Sequence, residues 1–180
     1  QVGSRLQGHP DRTKLDLLDA GTGALGQGLS IAIGYAIAGK ISKTNNKVYC
    51  IVGDGELQEG QIWEAAMYAG SNLGKELICI VDCNRLQNET WVEKTLPMGN
   101  IQKKWESFGW NTNVINGHDM SEIQNALNVD KYAKDAPIAI IANTIKGKGI
   151  SFMENNNVWH GKVLDDQSFK MAINELNNLK

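Results

Sequence analysis

Two stretches of this chain decide its fold: residues 48–56, VYCIVGDGE, and residues 77–87, LICIVDCNRLQ. Each begins as a short apolar run rich in Val and Ile, which is typical of strands buried on both faces of a parallel sheet. Between them, apolar residues recur at helical spacing, namely Ile62, Ala65, Ala66, Ala69 and Leu73. The order strand, helix, strand predicts a doubly wound α/β fold, with a mainly parallel sheet and helices on both faces.

An oxygen-bearing side chain follows each predicted strand, Asp54 after the first and Asn84 after the second. Because parallel neighbours in a right-handed crossover end at the same edge of the sheet, we expect these side chains to meet there. A carboxylate, an amide oxygen and nearby main-chain carbonyl groups suit Mg²⁺, which also takes phosphate and water as ligands. Gly53 and Gly55 flank the carboxylate, so we expect a phosphate to approach the N–H groups of this turn. The sequence therefore predicts a metal-bridged diphosphate.

Other motifs lie before and after this unit. They read GALGQGLSIAIGYAIA at 23–38, EGQIWEAAMYAG at 59–70, WESFGW at 105–110, INGHD at 115–119, NTIKGKG at 143–149 and WHG at 159–161. A Gly-Asp-Gly turn followed about thirty residues later by Asn is the thiamine diphosphate motif, and GDGELQEG through DCN resembles the transketolase copy. The resemblance runs from His9 to Gly161 and implies a thiamine diphosphate-binding domain of the diphosphate-binding (PP) type.

This resemblance implies thiamine diphosphate as the cofactor and Mg²⁺, or Ca²⁺ or Mn²⁺, as the metal. The metal ligands would be Asp54, Asn84 and the main-chain carbonyl of Leu86. The cofactor-binding residues would be Gly23, Ala24, Leu25, Gly53, Asp54, Gly55, Glu56, Asn84 and His160. The implied reaction transfers a two-carbon ketol unit from a ketose donor to an aldose acceptor, with sugars or sugar phosphates as substrates.

Three residues are candidates for catalysis: His9, His160 and Glu59. His9 lies in a predicted loop before Pro10, where a histidine can be structural or can carry protons. The resemblance implies that His9 faces the substrate, and that His160 contacts the diphosphate and the substrate. We expect Glu59 in the first turn of a helix, where its charge is favourable. The resemblance implies that Glu59 lies near the subunit interface.

The glycines of residues 21–26, GTGALG, also satisfy the G-x-G-x-x-G pattern of dinucleotide-binding proteins. That fingerprint requires a buried strand before the first glycine and an acidic residue about twenty positions later. Residues 15–19, LDLLD, are too charged for the strand, and Asp54 comes too late. The resemblance instead implies a loop along the thiamine cofactor, with Ala24 in place of the usual proline. Close packing of the following helix is compatible with both interpretations.

Weaker patterns predict the remaining elements. We expect a helix over 101–108, a strand over 112–115, a helix starting at Ser121, a strand over 138–142 and a last helix over 167–179. The polar segment 84–93 is predicted to be an active-site loop, and about 151–164 a flexible loop. His118 lies between a predicted strand and helix, where a structural or capping role is expected.

Length and charge restrict the function further. The 180 residues suit one domain, 1–180, and because the chain begins with Gln1 inside family sequence, we expect it to be N-terminally incomplete. A net charge of −2 argues against a nucleic-acid partner, and no apolar stretch is long enough to predict a membrane span. Three cysteines without close pairing favour a reducing compartment, so we expect a cytoplasmic protein.

The resemblance also predicts a partner. Long transketolases continue into a pyrimidine-binding domain, which these 180 residues do not contain. The chain therefore resembles the N-terminal subunit of a two-part transketolase. The partner would be a C-terminal transketolase subunit carrying that domain, in an α₂β₂ assembly. The alternatives are the α-subunit of a ketoacid dehydrogenase, a deoxyxylulose phosphate synthase, a nicotinamide dehydrogenase or a non-catalytic docking module.

Overall fold

The computed structural model describes residues 3–178 and contains one four-stranded parallel sheet. The strands are β1 (Val48–Gly53), β2 (Leu77–Cys83), β3 (Asn111–Asn116) and β4 (Ile138–Asn143). They lie in the order β1-β2-β4-β3, and every neighbouring pair is parallel. Parallel neighbours are usually joined by crossover helices, and helices pack on both faces of this sheet, so the predicted α/β fold is confirmed.

Within residues 3–178, six α-helices accompany the sheet. They are α1 (Gln27–Ile41), α2 (Gly60–Asn72), α3 (Val92–Thr95), α4 (Ile101–Ser107), α5 (Met120–Leu127) and α6 (Asp166–Asn177). Short 3₁₀ helices occupy Glu56–Gln58, Val129–Lys131 and Asn157–His160. The predicted helices and strands are therefore present. Leu179, the last residue of the predicted final helix, lies outside the described residues.

The larger core lies on the sheet face covered by α1, α2 and α4. Alternate residues of β1 and β2 point into it, and small residues such as Ala66 and Ala69 let α2 approach the sheet closely. Trp105 is fully buried there, with its ring centroid 4.6 Å from that of Trp110. The indole N–H of Trp110 donates to the carbonyl of Ala66 at 2.8 Å, which ties α2 to the start of β3. This packing holds α2 and α4 against the same face of the sheet.

The second face of the sheet is covered over β3 and β4 by α5, but β1 is open on that side. Ile51 is 72% exposed and Tyr49 is 52% exposed. The prediction that β1 is buried on both faces is therefore wrong, although it holds for β2 and β4. β1 lies at the edge of the sheet, and an apolar run by itself does not reveal what lies beyond an edge.

Two helix starts differ from the predictions. Helix α5 begins one residue early, and Asp119 caps it by accepting the N–H groups of Ser121 and Glu122. Glu59 is the N-cap residue of α2, without a side-chain cap bond, and not a member of its first turn. Such one-residue differences arise because the cap residue is set by local backbone geometry.

Segment 151–164 contains turns and a 3₁₀ helix that are held by side chains. The ring of Phe152 packs edge-on against Trp159 at 5.3 Å, and the indole N–H of Trp159 donates to the carbonyl of Phe152. Asn157 donates to the carbonyl of Glu89 at 2.7 Å, which attaches the segment to loop 84–93. The flexibility of this segment stays a prediction. Within residues 3–178, none of the helices has the length and apolarity needed to cross a membrane.

Candidate cofactor and metal site

The register of the sheet places Asp54 and Asn84 at the same edge, the one formed by the carboxyl ends of the strands, as expected. Gly53 of β1 lies opposite Asp82 of β2, and the N–H of Asp54 donates to the carbonyl of Asp82 at 3.1 Å. Both side chains therefore follow strand ends that lie side by side. Strand β4 ends at this edge too, because its last residue, Asn143, pairs with Cys83.

The carboxylate of Asp54 is buried at the end of β1, with the residue only 3% exposed. Its two oxygens accept main-chain N–H groups, from Gly55 at 2.9 Å and from Arg85 at 2.6 Å. Burial raises the pKa of this carboxyl above its ordinary value, although the two hydrogen bonds act to lower it. Of the ion pairs formed between residues 3 and 178, none includes Asp54. A buried carboxylate without a cationic partner is stabilised when a cation binds.

The side chain of Asn84 is held in one orientation by its neighbours. Its amide nitrogen donates to Asp82 at 3.2 Å, and its oxygen accepts the N–H of Leu86 at 2.9 Å. Asp82 in turn accepts the hydroxyl of Thr144, which follows β4. An amide oxygen has two lone pairs, so the oxygen of Asn84 keeps one for a metal.

The donor set fits a hard cation with few protein ligands. No cluster of three or more His, Cys, Asp or Glu side chains suited to a metal occurs among the residues that the structure describes. The expected ligands, one carboxylate, one amide oxygen and one main-chain carbonyl, would leave coordination positions for phosphate and water, which is the pattern typical of Mg²⁺. The amide oxygen of Gln87, buried near Gly55, has no hydrogen-bond partner within 3–178 and can accept from a bound water.

The N–H groups of the Gly-Asp-Gly turn differ from the expectation. The N–H of Gly53 donates to Glu56 at 3.0 Å, and that of Gly55 donates to Asp54. Both are therefore occupied by carboxylates and are not free to cradle a phosphate. Gly55 serves close packing, because a Cβ at this position would lie 3.1 Å from the Cβ of Gln87. A diphosphate at this turn would be held mainly through the metal.

The predicted cofactor loop, residues 21–26, lies against the same turn. The N–H of Gly26 donates to the carboxylate of Glu56 at 2.8 Å. His9 lies beside the loop, since a Cβ on Gly23 would be 2.9 Å from the Nδ1 atom of His9. His9 and Gly23 both line a cavity of about 450 Å³. His9 therefore lies beside one end of the glycine loop, and Glu56 joins the other end to the Gly-Asp-Gly turn, while Gly23, Ala24 and Leu25 are exposed.

The dinucleotide alternative does not fit this geometry. Residues 3–20 contain turns and no strand, so no strand leads into the glycines. The N-terminus of α1, where a dinucleotide pyrophosphate would bind, already carries the carboxylate of Glu56. The glycine pattern at 21–26 is therefore not a nicotinamide fingerprint.

Two predicted catalytic residues, His160 and Glu59, form no hydrogen bond with Asp54 or Asn84 in the described part of the chain. His160 is exposed, and its pKa is lowered by partial burial and by the positive charge of Lys146. The segment carrying His160 is attached to loop 84–93 through Asn157. Glu59 is exposed at the start of α2. No hydrogen bond joins either side chain to another candidate residue in the described part of the chain.

Sequence reasoning missed three residues that support the site: Asp82, Thr144 and Gln61. Asp82 could have been noticed, because it is a polar residue in an apolar strand, two positions before Asn84 and so on the same side. Gln61 donates to the carbonyl of Leu25 at 2.8 Å, a contact between residues 36 positions apart. No local pattern predicts such a pairing. His118 has the expected structural role, since its Nε2 atom accepts the N–H of Ile145.

Comparison with protein families gives one match over nearly the whole chain. Residues 1–177 match the family described as "Transketolase, thiamine diphosphate binding domain". A 6-deoxy-6-sulfo-D-fructose transketolase subunit from Clostridium sp. is 41% identical over 97% of this chain and 63% of its own length. An apulose-4-phosphate transketolase subunit from Phocaeicola vulgatus is 36% identical over 98% of this chain and 62% of its own. Human transketolase is 40% identical over 98% of this chain, but over only 28% of its own length.

Solved structures agree with this result. Transketolase from Campylobacter jejuni superposes with a TM-score of 0.85 at 35% identity, covering 98% of this chain and 29% of that one. Transketolase from Pichia stipitis gives a TM-score of 0.83 at 26% identity, covering 98% of this chain and 28% of that one. The chain thus spans under two thirds of the two subunit relatives and under a third of the long transketolases.

Proposed function

The chain belongs to the transketolase family, as a thiamine diphosphate-binding domain, and we propose that it binds the cofactor's diphosphate through a divalent metal for ketol transfer. The observation that carries this proposal is the meeting of Asp54 and Asn84 at one sheet edge, where the Asp54 carboxylate is 3% exposed and, within the described residues, has no cationic partner. The metal would be held by Asp54, Asn84 and the carbonyl of Leu86, with Mg²⁺ favoured and Ca²⁺ or Mn²⁺ as substitutes.

The protein's own residues would orient the substrate and move protons. When bound, thiamine diphosphate supplies the nucleophilic carbon for the exchange of carbon–carbon bonds. The C2–C3 bond of the ketose donor breaks and a new bond forms to the aldehyde carbon of the acceptor, without net oxidation. One proton leaves the donor C3 hydroxyl, and one is delivered to the acceptor oxygen. His9, at the cavity beside Gly23, and His160 are the proposed proton carriers.

His160 would be available to accept a proton at neutral pH. Partial burial and the charge of Lys146 lower its pKa below the ordinary value, so the imidazole is neutral and can accept a proton. Glu59 would act at a subunit interface, and its exposure at the start of α2 leaves it accessible to a partner. These roles extend the family assignment to individual side chains.

The partner proposed for this chain carries the pyrimidine-binding domain. The relatives from Clostridium sp. and Phocaeicola vulgatus, of which this chain covers 63% and 62%, are named as transketolase subunits. These names support a two-part enzyme. We place the partner in an α₂β₂ assembly and the enzyme in the cytoplasm, where the three free cysteines of the described chain would stay reduced. The subunit relatives are named for a sulfosugar and a sugar phosphate, so the proposed substrates are sugars with an anionic terminus.

A turnover assay with a cofactor-binding measurement tests the proposal. The protein would be mixed with thiamine diphosphate, Mg²⁺ and a candidate partner, using fructose 6-phosphate, apulose 4-phosphate and 6-deoxy-6-sulfofructose as donors. We expect ketol transfer only with the partner, and calorimetric cofactor binding that requires Mg²⁺. Full activity of the 180-residue chain by itself would refute the two-part arrangement. Cofactor and metal binding by the complex without turnover on any ketose would favour the docking module.

A further inference from the structure

The carboxylate of Glu56 joins two loops that are far apart in the sequence. Its Oε1 atom accepts the N–H of Gly26 at 2.8 Å, and its Oε2 atom accepts the N–H of Gly53 at 3.0 Å. Gly26 ends the glycine loop, residues 21–26, and Gly53 begins the Gly-Asp-Gly turn that contains Asp54. The two oxygens of one side chain thus fix the position of one loop relative to the other.

A second side chain supports the same junction. Gln61, in the first turn of α2, donates to the carbonyl of Leu25 at 2.8 Å and accepts from the side chain of Gln27 at 3.0 Å. Gly26 has a φ angle of +81°, and a Cβ there would lie 2.6 Å from the Nε2 atom of Gln61. Only glycine satisfies both conditions without strain. The end of the glycine loop is therefore held from the Glu56 side and from the Gln61 side.

The charge of Glu56 is placed where it stabilises this arrangement. Helix α1 starts at Gln27, and its N-cap residue, Gly26, has no side chain with which to cap the helix. A carboxylate at a helix N-terminus interacts favourably with the helix dipole, and N–H donors bind an ionised acceptor more strongly than a neutral one. An isosteric amide at Glu56 could accept only one of the two N–H groups, because its nitrogen is itself a donor.

We propose that Glu56 is a positioning residue that fixes the glycine loop to the metal-binding turn and does not contact the cofactor. Both of its oxygens are engaged by main-chain N–H groups, so this role would take the place of the cofactor-binding role that the family resemblance implies for Glu56. This proposal rests on the proposed function, because the two loops matter together only if one cofactor lies across them. Loss of the carboxylate would let the loops move independently and weaken cofactor binding.

The test compares E56Q and E56A with an E64Q control in the complete enzyme. Glu64 lies on the exposed side of α2, and no hydrogen bond or ion pair of its side chain is found within the described residues. We expect the apparent KM for thiamine diphosphate to rise about 10-fold in E56Q and about 100-fold in E56A. At saturating cofactor, kcat should stay within about twofold of the original, because Glu56 touches no reacting atom. E64Q should match the unmodified protein.

Amide hydrogen exchange in the cofactor-free protein provides the second measurement. We expect protection to fall at Gly26 and Gly53 in E56A, and at one of these two amides in E56Q. Unchanged cofactor affinity in E56A would overturn the proposal, and so would weaker affinity with both amides still protected, since that result indicates direct contact. If the unmodified protein fails to bind thiamine diphosphate, the proposed function fails, while the exchange data still decide whether Glu56 holds the loops.

Discussion

Asp82 is the residue that determines how Asn84 presents its side chain. It accepts the amide N–H of Asn84 at 3.2 Å and the hydroxyl of Thr144, so the amide oxygen of Asn84 is directed away from it. Residues that orient metal ligands affect metal affinity although they do not touch the metal. The side chain of Asn84 is therefore held in one orientation and does not rotate freely, which would favour metal binding by its oxygen.

Replacement of Asp82 should weaken the metal site. We expect D82A to lower Mg²⁺-dependent cofactor affinity by about 10- to 100-fold, because Asn84 can then rotate. T144V keeps the side-chain shape but removes the hydroxyl, and should give a smaller loss in the same direction. D135A, at an exposed position, is the control. Calorimetric titration with Mg²⁺ measures each variant, and unchanged affinity in D82A would exclude an orienting role.

The pKa of His160 should respond to one neighbouring lysine. Partial burial is the larger cause of its lowered pKa, and the charge of Lys146 is the smaller one. We expect K146M to raise the pKa of His160 while leaving it below the ordinary value. K148M is a matched control, because Lys148 is paired with Glu154 at 3.4 Å. An NMR titration of the imidazole measures the shift, and equal shifts in both variants would contradict a specific effect of Lys146.

The lowered pKa of His160 also determines how the free energy of unfolding changes with pH. Because the pKa of His160 is lower in the folded protein than in the unfolded chain, the folded state binds fewer protons between the two pKa values. The free energy of unfolding should therefore fall as pH drops from about 6.5, the ordinary pKa of histidine, through that interval. Since His160 is exposed, solvent screening keeps this contribution small.

At the level of single residues, the sequence predicts the proposed metal ligands better than the residues that hold the surrounding loops in place. Asp54 and Asn84 are predictable because they directly follow apolar strands. The engagement of Glu56 with Gly26 is not predictable, because it depends on how α1 lies beside β1 in three dimensions. The N–H groups of Gly53 and Gly55 are wrongly expected to be free, because the local turn directs them to the carboxylates of Glu56 and Asp54.

At the level of elements, β1 shows how one strand can be buried on one face only. Val52 is 1% exposed within the main core, while the adjacent Ile51 is 72% exposed on the other face. Both residues belong to the same apolar run, so the sequence pattern does not distinguish them. The predicted strand is correct, and its environment depends on the elements that cover the edge of the sheet.

Alanine substitutions should separate the two faces of β1. In the complete protein we expect V52A to lower the free energy of unfolding by about 1 to 3 kcal/mol, through lost burial and a small cavity. I51A should lower it by less than about 0.5 kcal/mol, because an exposed side chain loses little contact. Urea denaturation measures both variants. An equal loss would mean that Ile51 is covered in the protein as measured.

At the level of the whole molecule, the parallel sheet brings the site together. The ends of β1, β2 and β4 lie at one edge, and α1 places the glycine loop beside them. The apolar pattern predicts the helices, the strands and the parallel pairing of β1 with β2, whereas the full strand order and the position of α1 depend on long-range packing. The cofactor class is not determined by that pattern. It required the ordered motifs, which the family match over 1–177 supports.

The most direct test of the central claim is electron paramagnetic resonance of Mn²⁺ bound to the complete enzyme with thiamine diphosphate. The proposed site predicts that Mn²⁺ binding requires the cofactor in the unmodified protein and is lost in D54A and N84A, while D135A binds normally. Mn²⁺ binding that persists equally in D54A and N84A would place the metal elsewhere, and would contradict the proposed role of this sheet edge.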